Sequence, residues 1–194
     1  MKTLVIIPSR MSASRLPGKP LLKINGLSMI SHVFKKAEEA KIGDVIVATE
    51  NQEIIDDVKL NGGQAILTKK DHKTGTDRIH EALEKLNDNS VDLVMNLQGD
   101  EPLMNVEDIR NLKDQMIKNS SQLGTLASKI PDKILFDNQN VVKVKTKKNL
   151  DKDNFPEAIN FMRKISEKKE NIYHHLGIYC YRKEVLKKFV SFKQ

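Results

Sequence analysis

Short apolar runs alternate with amphipathic segments along the first two thirds of the chain. Residues 4–7 (LVII) and 44–48 (DVIVA) have the length and the β-branched content of buried strands. Between them, apolar side chains at positions 30, 33, 34 and 37 recur at helical spacing behind Ser28, a residue type that caps helices. The pattern predicts strand, helix and strand in succession, which is the order of an α/β fold.

The same alternation continues to about residue 123. Asn51 is predicted to cap a helix that ends at Gly62, and it is followed by a strand over residues 64–67, a helix over 76–86 and a strand over 91–97. Asn105, with Asp108 three residues later, has the capping-box pattern of another helix start. We therefore expect a mostly parallel sheet flanked by helices.

The last third of the chain is predicted to be richer in strands. Residues 124–130, 141–145, 158–161 and 175–181 each have a strand pattern. Neither an internal repeat nor a low-complexity linker divides the sequence, and 194 residues suffice for one domain. The chain is expected to be a single domain over residues 1–194.

Composition favours a cytoplasmic protein without a membrane or nucleic-acid role. The only cysteine, Cys180, cannot form an internal disulfide, and its apolar neighbours indicate inert packing. Residues 4–8 are too short for a signal peptide, and no apolar stretch has membrane-spanning length. The net charge of +7 comes from scattered lysine pairs without interleaved aromatic residues, so we do not expect nucleic-acid binding.

Three cations follow the first strand in a segment that cannot be helical. Arg10, Arg15 and Lys19 lie among two prolines, a glycine and three serines. Loops at the carboxyl ends of parallel strands are where α/β proteins bind ligands, and this spacing of cations suits a polyphosphate. The alternative is a solvated basic loop.

Two further polar segments are predicted at the same edge of the sheet. Residues 71–78 (DHKTGTDR) run into a helix start. Its backbone N–H groups and the Thr74 and Thr76 hydroxyls could bind an anion or the edge of a nucleobase; the alternative is an ordinary capped helix start. After the strand at 91–97, Gln98, Asp100 and Glu101 cluster around a glycine. A carboxylate facing a phosphate-binding loop suits Mg²⁺, and Asp100 is the better ligand candidate; a turn-forming aspartate is the alternative.

A histidine pair begins the final strand. His174 and His175 have no further histidine or cysteine at ligand spacing, which argues against a zinc site. A hydrogen bond from the His175 imidazole to a carboxylate or a sugar hydroxyl is one interpretation, and a structural histidine is the other.

Taken together, five segments resemble the 3-deoxy-manno-octulosonate (Kdo) cytidylyltransferase family, the CMP-Kdo synthetases of Gram-negative bacteria. They are IPSR at residues 7–10, SRLPGKPL at 14–21, HKTGTDR at 72–78, QGDEP at 98–102 and HLGIY at 175–179. The resemblance implies a Rossmann-like nucleotide-diphospho-sugar transferase fold, usually in a homodimer. It also implies transfer of CMP from CTP to the anomeric hydroxyl of Kdo, with release of pyrophosphate, for lipopolysaccharide synthesis.

The resemblance also implies roles for individual residues. Arg10, Arg15 and Lys19 match the loop that holds the CTP phosphates, and Asp100 matches a Mg²⁺ ligand. Arg163 and His175 match contacts to the Kdo carboxylate and hydroxyls. The positions that match the nucleotide pocket are Ser12, Ala13, Thr74, Arg78 and Gln98.

Two departures from the family pattern bear on these expectations. The chain ends at Gln194, where the family normally continues with a segment that carries a second metal-binding aspartate, so the chain is expected to be truncated. Ser166 stands where proline is usual, near the sugar pocket. The alternatives are a cytidylyltransferase for another acid or amino sugar and a CTP-binding fragment without catalysis.

Overall fold

Alternating strands and helices fold the chain into two compact units, residues 1–124 with 178–194 and residues 125–177. The computed structural model describes residues 1–12, 16–151, 154–165 and 170–192. The strands are β1 (Lys2–Ser9), β2 (Lys23–Ile24), β3 (Leu27–Ser28), β4 (Asp44–Thr49), β5 (Ala65–Leu67), β6 (Val91–Asn96), β7 (Leu123–Ser128), β8 (Lys143–Thr146), β9 (Ala158–Met162) and β10 (Ile172–Arg182). The helices are α1 (Met29–Glu39), α2 (Gln52–Leu60), α3 (Gly75–Leu86), α4 (Val106–Lys118), α5 (Lys133–Asp137) and α6 (Lys183–Val190), with a 3-10 turn at Lys19–Leu21.

The larger unit is built on a mixed sheet with a parallel core. Its strand order is β5-β4-β1-β6-β10. The first three pairs, β5 with β4, β4 with β1 and β1 with β6, are parallel. Residues 179–182 of β10 then pair with β6 in antiparallel orientation. Because β1, β4 and β6 run the same way, the loops that follow them leave the sheet at one edge.

Helices cover both faces of this sheet. Ile6 belongs to a buried cluster that includes Ile79 and Leu83 of α3 and Leu186 of α6. The neighbouring Ile7 points to the opposite face, where its side chain and Ile30 of α1 lie against the same glycine, Gly99. Burial on both faces explains why β1 is a continuous apolar run.

The smaller unit is antiparallel where its register is defined. Strand β8 pairs with β9, with Lys143 opposite Met162. Residues 172–174 of β10 pair with the other edge of β8, with His174 opposite Lys143. Lys143 therefore lies on the central strand of this small sheet.

Several predicted helix starts can be checked against their hydrogen bonds. Ser28 caps α1 by accepting from the Ser31 N–H, as predicted. Asn105 caps α4 by accepting from the Glu107 N–H, but the reciprocal bond predicted from Asp108 is not among the hydrogen bonds of the described chain. Asn51 precedes α2 as predicted, yet its Oδ1 accepts from the Met11 N–H, 3.0 Å away, and not from the helix.

Four elements were not predicted: the β2–β3 hairpin, helices α5 and α6, and the 3-10 turn at Lys19–Leu21, a short helical turn in a segment that was expected not to be helical. The hairpin strands are two residues long and α5 only five, so neither shows a recognisable period. Helix α6 follows β10 directly, with Arg182 at its N-cap. Within the described residues, none of the helices is long and apolar enough to cross a bilayer.

Candidate active site

The loop after β1 folds back on itself and presents Lys19. The Gly18 N–H donates to the Met11 carbonyl at 3.1 Å, and Gly18 has φ +72°, a conformation that strongly favours glycine. Gly18 also begins the 3-10 turn that carries Lys19 and the buried Pro20. The Met11 bond to Asn51 ties this loop to the start of α2. Arg10 is exposed at its beginning.

The loop after β6 comes close to the end of β1 because it contains Gly99. A Cβ at Gly99 would lie 3.0 Å from the Pro8 carbonyl oxygen and 3.2 Å from Ile30 Cδ1. A side chain at this position would therefore crowd the Pro8 carbonyl and Ile30, and these neighbours would have to shift by a few tenths of an ångström. The turn leaves Gln98 half-buried and Asp100 half-exposed, and the Gln98 amide donates to Asn96 Oδ1 at 3.4 Å.

The start of α3 is a complete capping box. The Thr74 hydroxyl accepts from the Asp77 N–H at 3.2 Å, and the Asp77 carboxylate accepts from the Thr74 N–H at 3.1 Å. The Thr74 hydroxyl also donates to Asp77 at 2.8 Å. The capped-helix interpretation of this segment is therefore confirmed, and any ligand contact through the Thr74 hydroxyl competes with these internal bonds.

Arg78 is buried and bonded to three partners in the chain. Its side chain is 3% exposed and donates to Glu50 Oε2 and to Thr68 Oγ1, each at 2.5 Å, and to the Lys69 carbonyl at 3.1 Å. It thereby holds the segment after β5 against Glu50, which follows β4. Arg78 lines the cleft described below, but its guanidinium is bonded mainly within the protein.

Glu81 also holds the segment that follows β5. Its carboxylate accepts from the Lys69 N–H at 3.0 Å, from Lys85 Nζ at 2.8 Å and from the His72 ring. Burial by itself would raise the pKa of Glu81, but these three donors outweigh it and lower the pKa to about 2. Glu81 is therefore ionised in the folded protein and holds residues 69–72 in place.

These loops enclose one cleft of about 690 Å³ at the carboxyl ends of β1 and β6. Six of the predicted site residues line it: Arg10, Lys19, Thr74, Arg78, Gln98 and Asp100. Lys19 and Asp100 form an ion pair there, 2.8 Å long, with side chains that are 30% and 50% exposed. The cleft thus combines fixed cations with an accessible carboxylate, which is the combination that a nucleoside triphosphate and a divalent ion require.

The remaining predicted residues lie elsewhere or outside the described part. Ser12 is exposed in the β1 loop and is not among the residues that line the cleft. Ala13, Arg15 and Ser166 lie outside the described residues. Arg163 and His175 belong to the smaller unit.

His175 is half-buried and makes two side-chain contacts that fix its ring. Its Nε2 lies 2.9 Å from Thr125 Oγ1, and the ring packs edge-on against Phe161 with centroids 4.9 Å apart. Burial lowers the pKa of His175, and the charge of His174 lowers it further. The imidazole is therefore suited to hydrogen bonding in its neutral form.

Sequence reasoning did not find Glu50 or Glu81, although both shape the cleft. Glu81 lies three residues after Arg78 on the predicted helix, so helical spacing could have indicated that both face the same loop. Glu50 lies 28 residues before Arg78, and no local pattern connects the two.

Comparison with known proteins identifies the family. A cytidylyltransferase family model matches residues 4–194. The 3-deoxy-manno-octulosonate cytidylyltransferase of Rhodopseudomonas palustris strain BisB18 is 45% identical over 192 residues, which are 98% of this chain and 78% of that protein. The chain belongs to the 3-deoxy-manno-octulosonate cytidylyltransferase family. It is therefore a member of a nucleotidyltransferase family, as the motifs predict.

A solved structure supports the same assignment at the level of the fold. The structure of CMP:2-keto-3-deoxy-manno-octonic acid synthetase complexed with CTP superposes with a TM-score of 0.87 at 34% identity, over 100% of this chain and 79% of that one. The predicted Rossmann-like nucleotidyltransferase fold is confirmed, with the qualification that the later strands make the sheet mixed. A second relative, from Afipia carboxidovorans and named for the same activity, is 45% identical over 191 residues, or 97% of this chain and 76% of that protein.

Proposed function

We propose that this chain transfers CMP from CTP to the anomeric hydroxyl of Kdo and releases pyrophosphate, with Mg²⁺ as the cofactor. The observation that carries the proposal is the cleft at the ends of β1 and β6, where Arg10, Lys19, Gln98 and Asp100 converge in a chain of this family. CTP is available in the cytoplasm, which is where we expect the reaction to run.

The proposed reaction is a displacement at the α-phosphorus. The sugar hydroxyl oxygen forms the new bond to phosphorus, the bond from phosphorus to the α–β bridging oxygen breaks, and pyrophosphate leaves with that electron pair. The hydroxyl proton passes to water. Arg10 and Lys19 neutralise charge on the phosphate oxygens and on the departing pyrophosphate. Arg15 is expected to share this role. Positioning and charge stabilisation supply the rate, so no protein nucleophile is needed.

Asp100 is the proposed Mg²⁺ ligand, and its surroundings fit a divalent ion. Its carboxylate is half-exposed in the cleft and already pairs with a cation, the Lys19 ammonium. The described residues contain no cage of three or more histidine, cysteine or acidic ligands. Magnesium does not require one, because it commonly uses one or two carboxylates together with substrate phosphates and water. When bound, the ion would polarise the phosphate oxygens and screen their charge.

The nucleotide pocket is proposed to include Gln98, Thr74, Ser12 and Ala13. Gln98 has an amide that can both donate and accept, as recognition of a nucleobase or ribose requires. For Arg78 we propose an indirect part, because its guanidinium is bonded to Glu50, Thr68 and the Lys69 carbonyl. It would fix the loop that lines the pocket.

Arg163 and His175 are proposed to bind the sugar. A guanidinium pairs with a carboxylate through two parallel hydrogen bonds, and Kdo is an acid sugar. His175, kept neutral by its lowered pKa, would hydrogen-bond a sugar hydroxyl. We further propose that residues 1–194 act as one nucleotidyltransferase domain in a homodimer, for which sedimentation velocity is the test.

The experiment is pyrophosphate release from CTP and Mg²⁺ by the 194-residue chain, with and without Kdo. Release that requires Kdo is expected. Release with another acid sugar but not with Kdo would show that the other sugar, and not Kdo, is the substrate. CTP binding without release under any of these conditions would support a non-catalytic role, unless addition of the family's carboxyl-terminal segment restored turnover.

A further inference from the structure

Lys143 is a lysine whose side chain is completely buried. Its side chain lies on β8 with 0% exposure, and no ion pair of this residue occurs among the described residues. Its Nζ donates to two backbone carbonyls, those of Asn138 at 2.5 Å and Arg163 at 3.1 Å. Burial of an unpaired ammonium is costly, so a purely structural position would be better filled by an apolar residue.

The backbones of both proposed sugar-binding residues are hydrogen-bonded to the segment that carries this lysine. The Arg163 carbonyl accepts from Lys143 Nζ. The His175 N–H donates to the carbonyl of Val142, the preceding residue, at 3.0 Å. One short segment, residues 142–143, therefore fixes the backbone at both positions.

The Arg163 guanidinium is hydrogen-bonded to the turn at residues 138–140, which also accepts from Lys143. Its Nη1 donates to the carbonyls of Gln139 and Asn140 at 3.2 and 3.4 Å. Lys143 holds the preceding carbonyl of that turn, Asn138. The lysine thus anchors both the backbone of Arg163 and the turn on which the Arg163 side chain rests.

Within the part of the chain that the structure describes, one edge of the guanidinium is open. Arg163 is exposed, and its Nε and Nη2 have no hydrogen-bond partner among the described residues. These two nitrogens have the spacing of a carboxylate's two oxygens. The buried positive charge of Lys143 adds to the attraction for an anion at this position.

We propose that Lys143 is a positioning residue for the carboxylate of a sugar acid: its buried ammonium fixes Arg163 and residues 138–140 so that the guanidinium receives the substrate. The inference deepens the proposed function and rests on it. It predicts that loss of Lys143 weakens binding of the sugar acid and spares CTP.

The test compares Lys143→Met with Lys147→Met in the full chain. Lys147 lies in the same unit but forms an exposed pair with Glu157 at 3.2 Å, with side chains 67% and 72% exposed. We expect Lys143→Met to raise the KM for Kdo at least tenfold and to change the KM for CTP less than twofold. Lys147→Met should change neither. An unchanged KM for Kdo in a folded Lys143→Met protein would overturn the inference.

A double-mutant cycle separates positioning from general loss of structure. If Lys143 acts through Arg163, the effects of Lys143→Met and Arg163→Ala on the KM for Kdo will be far from additive. Additive effects would contradict the proposal. Should Lys143→Met fail to fold, Lys143→Gln takes its place in the cycle, since it keeps a donor and removes the charge. A wild-type chain that stays inactive with Kdo even after addition of the family's carboxyl-terminal segment would instead refute the proposed function, and the inference with it.

Discussion

Lys19 Nζ lies 2.8 Å from Asp100 Oδ2, so the loop after β1 and the loop after β6 are joined by an ion pair. Both residues are proposed to act on the same triphosphate, Lys19 on phosphate oxygens and Asp100 on the accompanying Mg²⁺. Their pairing keeps the two groups within reach of one ligand. Because both side chains are accessible, the pair can be exchanged for ligand contacts at little cost in stability.

Lys19→Ala should abolish most of the turnover and leave the fold intact. Removal of one fixed charge that stabilises the transition state commonly costs about 100-fold or more in kcat, whereas a partly exposed ion pair contributes less than about 1 kcal/mol to folding. Pyrophosphate release and thermal unfolding measure the two effects. Lys23→Ala, which removes an exposed lysine on β2, is the control. A near-normal rate for Lys19→Ala would exclude the proposed phosphate contact.

Asp100→Asn should mainly weaken the response to Mg²⁺. The amide keeps the shape of the side chain but loses the charge that a divalent cation requires. We expect at least a tenfold higher Mg²⁺ concentration for half-maximal turnover, measured at saturating CTP. Asp108→Asn, at an exposed position in the first turn of α4, should leave the Mg²⁺ curve unchanged. If Asp100→Asn gave the same Mg²⁺ curve as the wild type, Asp100 would not be a ligand.

The elements whose signals lie in residues close together in the sequence could be predicted. Helix α3 was expected over residues 76–86 and is observed at Gly75–Leu86, because its apolar period and its cap are local signals. The role of Asn51 could not be predicted: its Oδ1 accepts from Met11, 40 residues earlier, and not from its own helix. A pattern read along the chain carries no information about such a partner.

Lys143 is a clearer example of a residue whose surroundings cannot be predicted from the neighbouring sequence. A lysine between two valines in a predicted strand is expected to face solvent. Instead its side chain is buried on a central strand, where Lys143 pairs with Met162 of β9 on one edge and His174 of β10 on the other. Arg78 was predicted as a nucleotide contact from the family pattern, and only the tertiary structure reveals its bond to Glu50.

The Arg78–Glu50 ion pair should be important for stability. Loss of one partner leaves a buried charge uncompensated, which typically costs 3–5 kcal/mol, so Arg78→Met should lower the free energy of unfolding by about 3 kcal/mol in urea titrations. Lys36→Met, which breaks an exposed pair with Glu39, should cost less than about 0.5 kcal/mol. The double variant Arg78→Met/Glu50→Gln should lose less than the sum of the single losses. A cost below 1 kcal/mol for Arg78→Met would mean that the pair does not hold the loop.

Cys180 should be unreactive in the folded protein. Its side chain is fully buried on β10, and burial raises the pKa of the thiol to about 12, only partly offset by the charge of Arg182. Since the thiolate is the reactive form, a disulfide reagent at pH 8 should label none of the native protein and one thiol per chain in denaturant. Rapid stoichiometric labelling of the native chain would show that this strand opens readily.

Glu81 should make the stability of the chain depend on pH in the acid range. Its pKa is about 2 in the folded protein and near 4.5 without the fold. A carboxyl whose pKa is lowered by folding stabilises the protein above its unfolded value, and that contribution is lost as the pH falls from about 4.5 to about 2. Other carboxyls titrate in the same range. The informative quantity is therefore the difference in the free energy of unfolding between the wild type and Glu81→Gln.

That difference should be about 2 kcal/mol at pH 7, because three donors lose a charged acceptor. It should shrink towards zero as the pH falls to about 2, where about half of the wild-type carboxyl is protonated in the folded protein. Urea unfolding at a series of pH values measures it, and Glu84→Gln, at an exposed position on the same helix, should show only a small difference at every pH. A difference for Glu81→Gln that stayed constant from pH 7 to pH 2 would show that the ionised carboxylate does not hold residues 69–72 against α3.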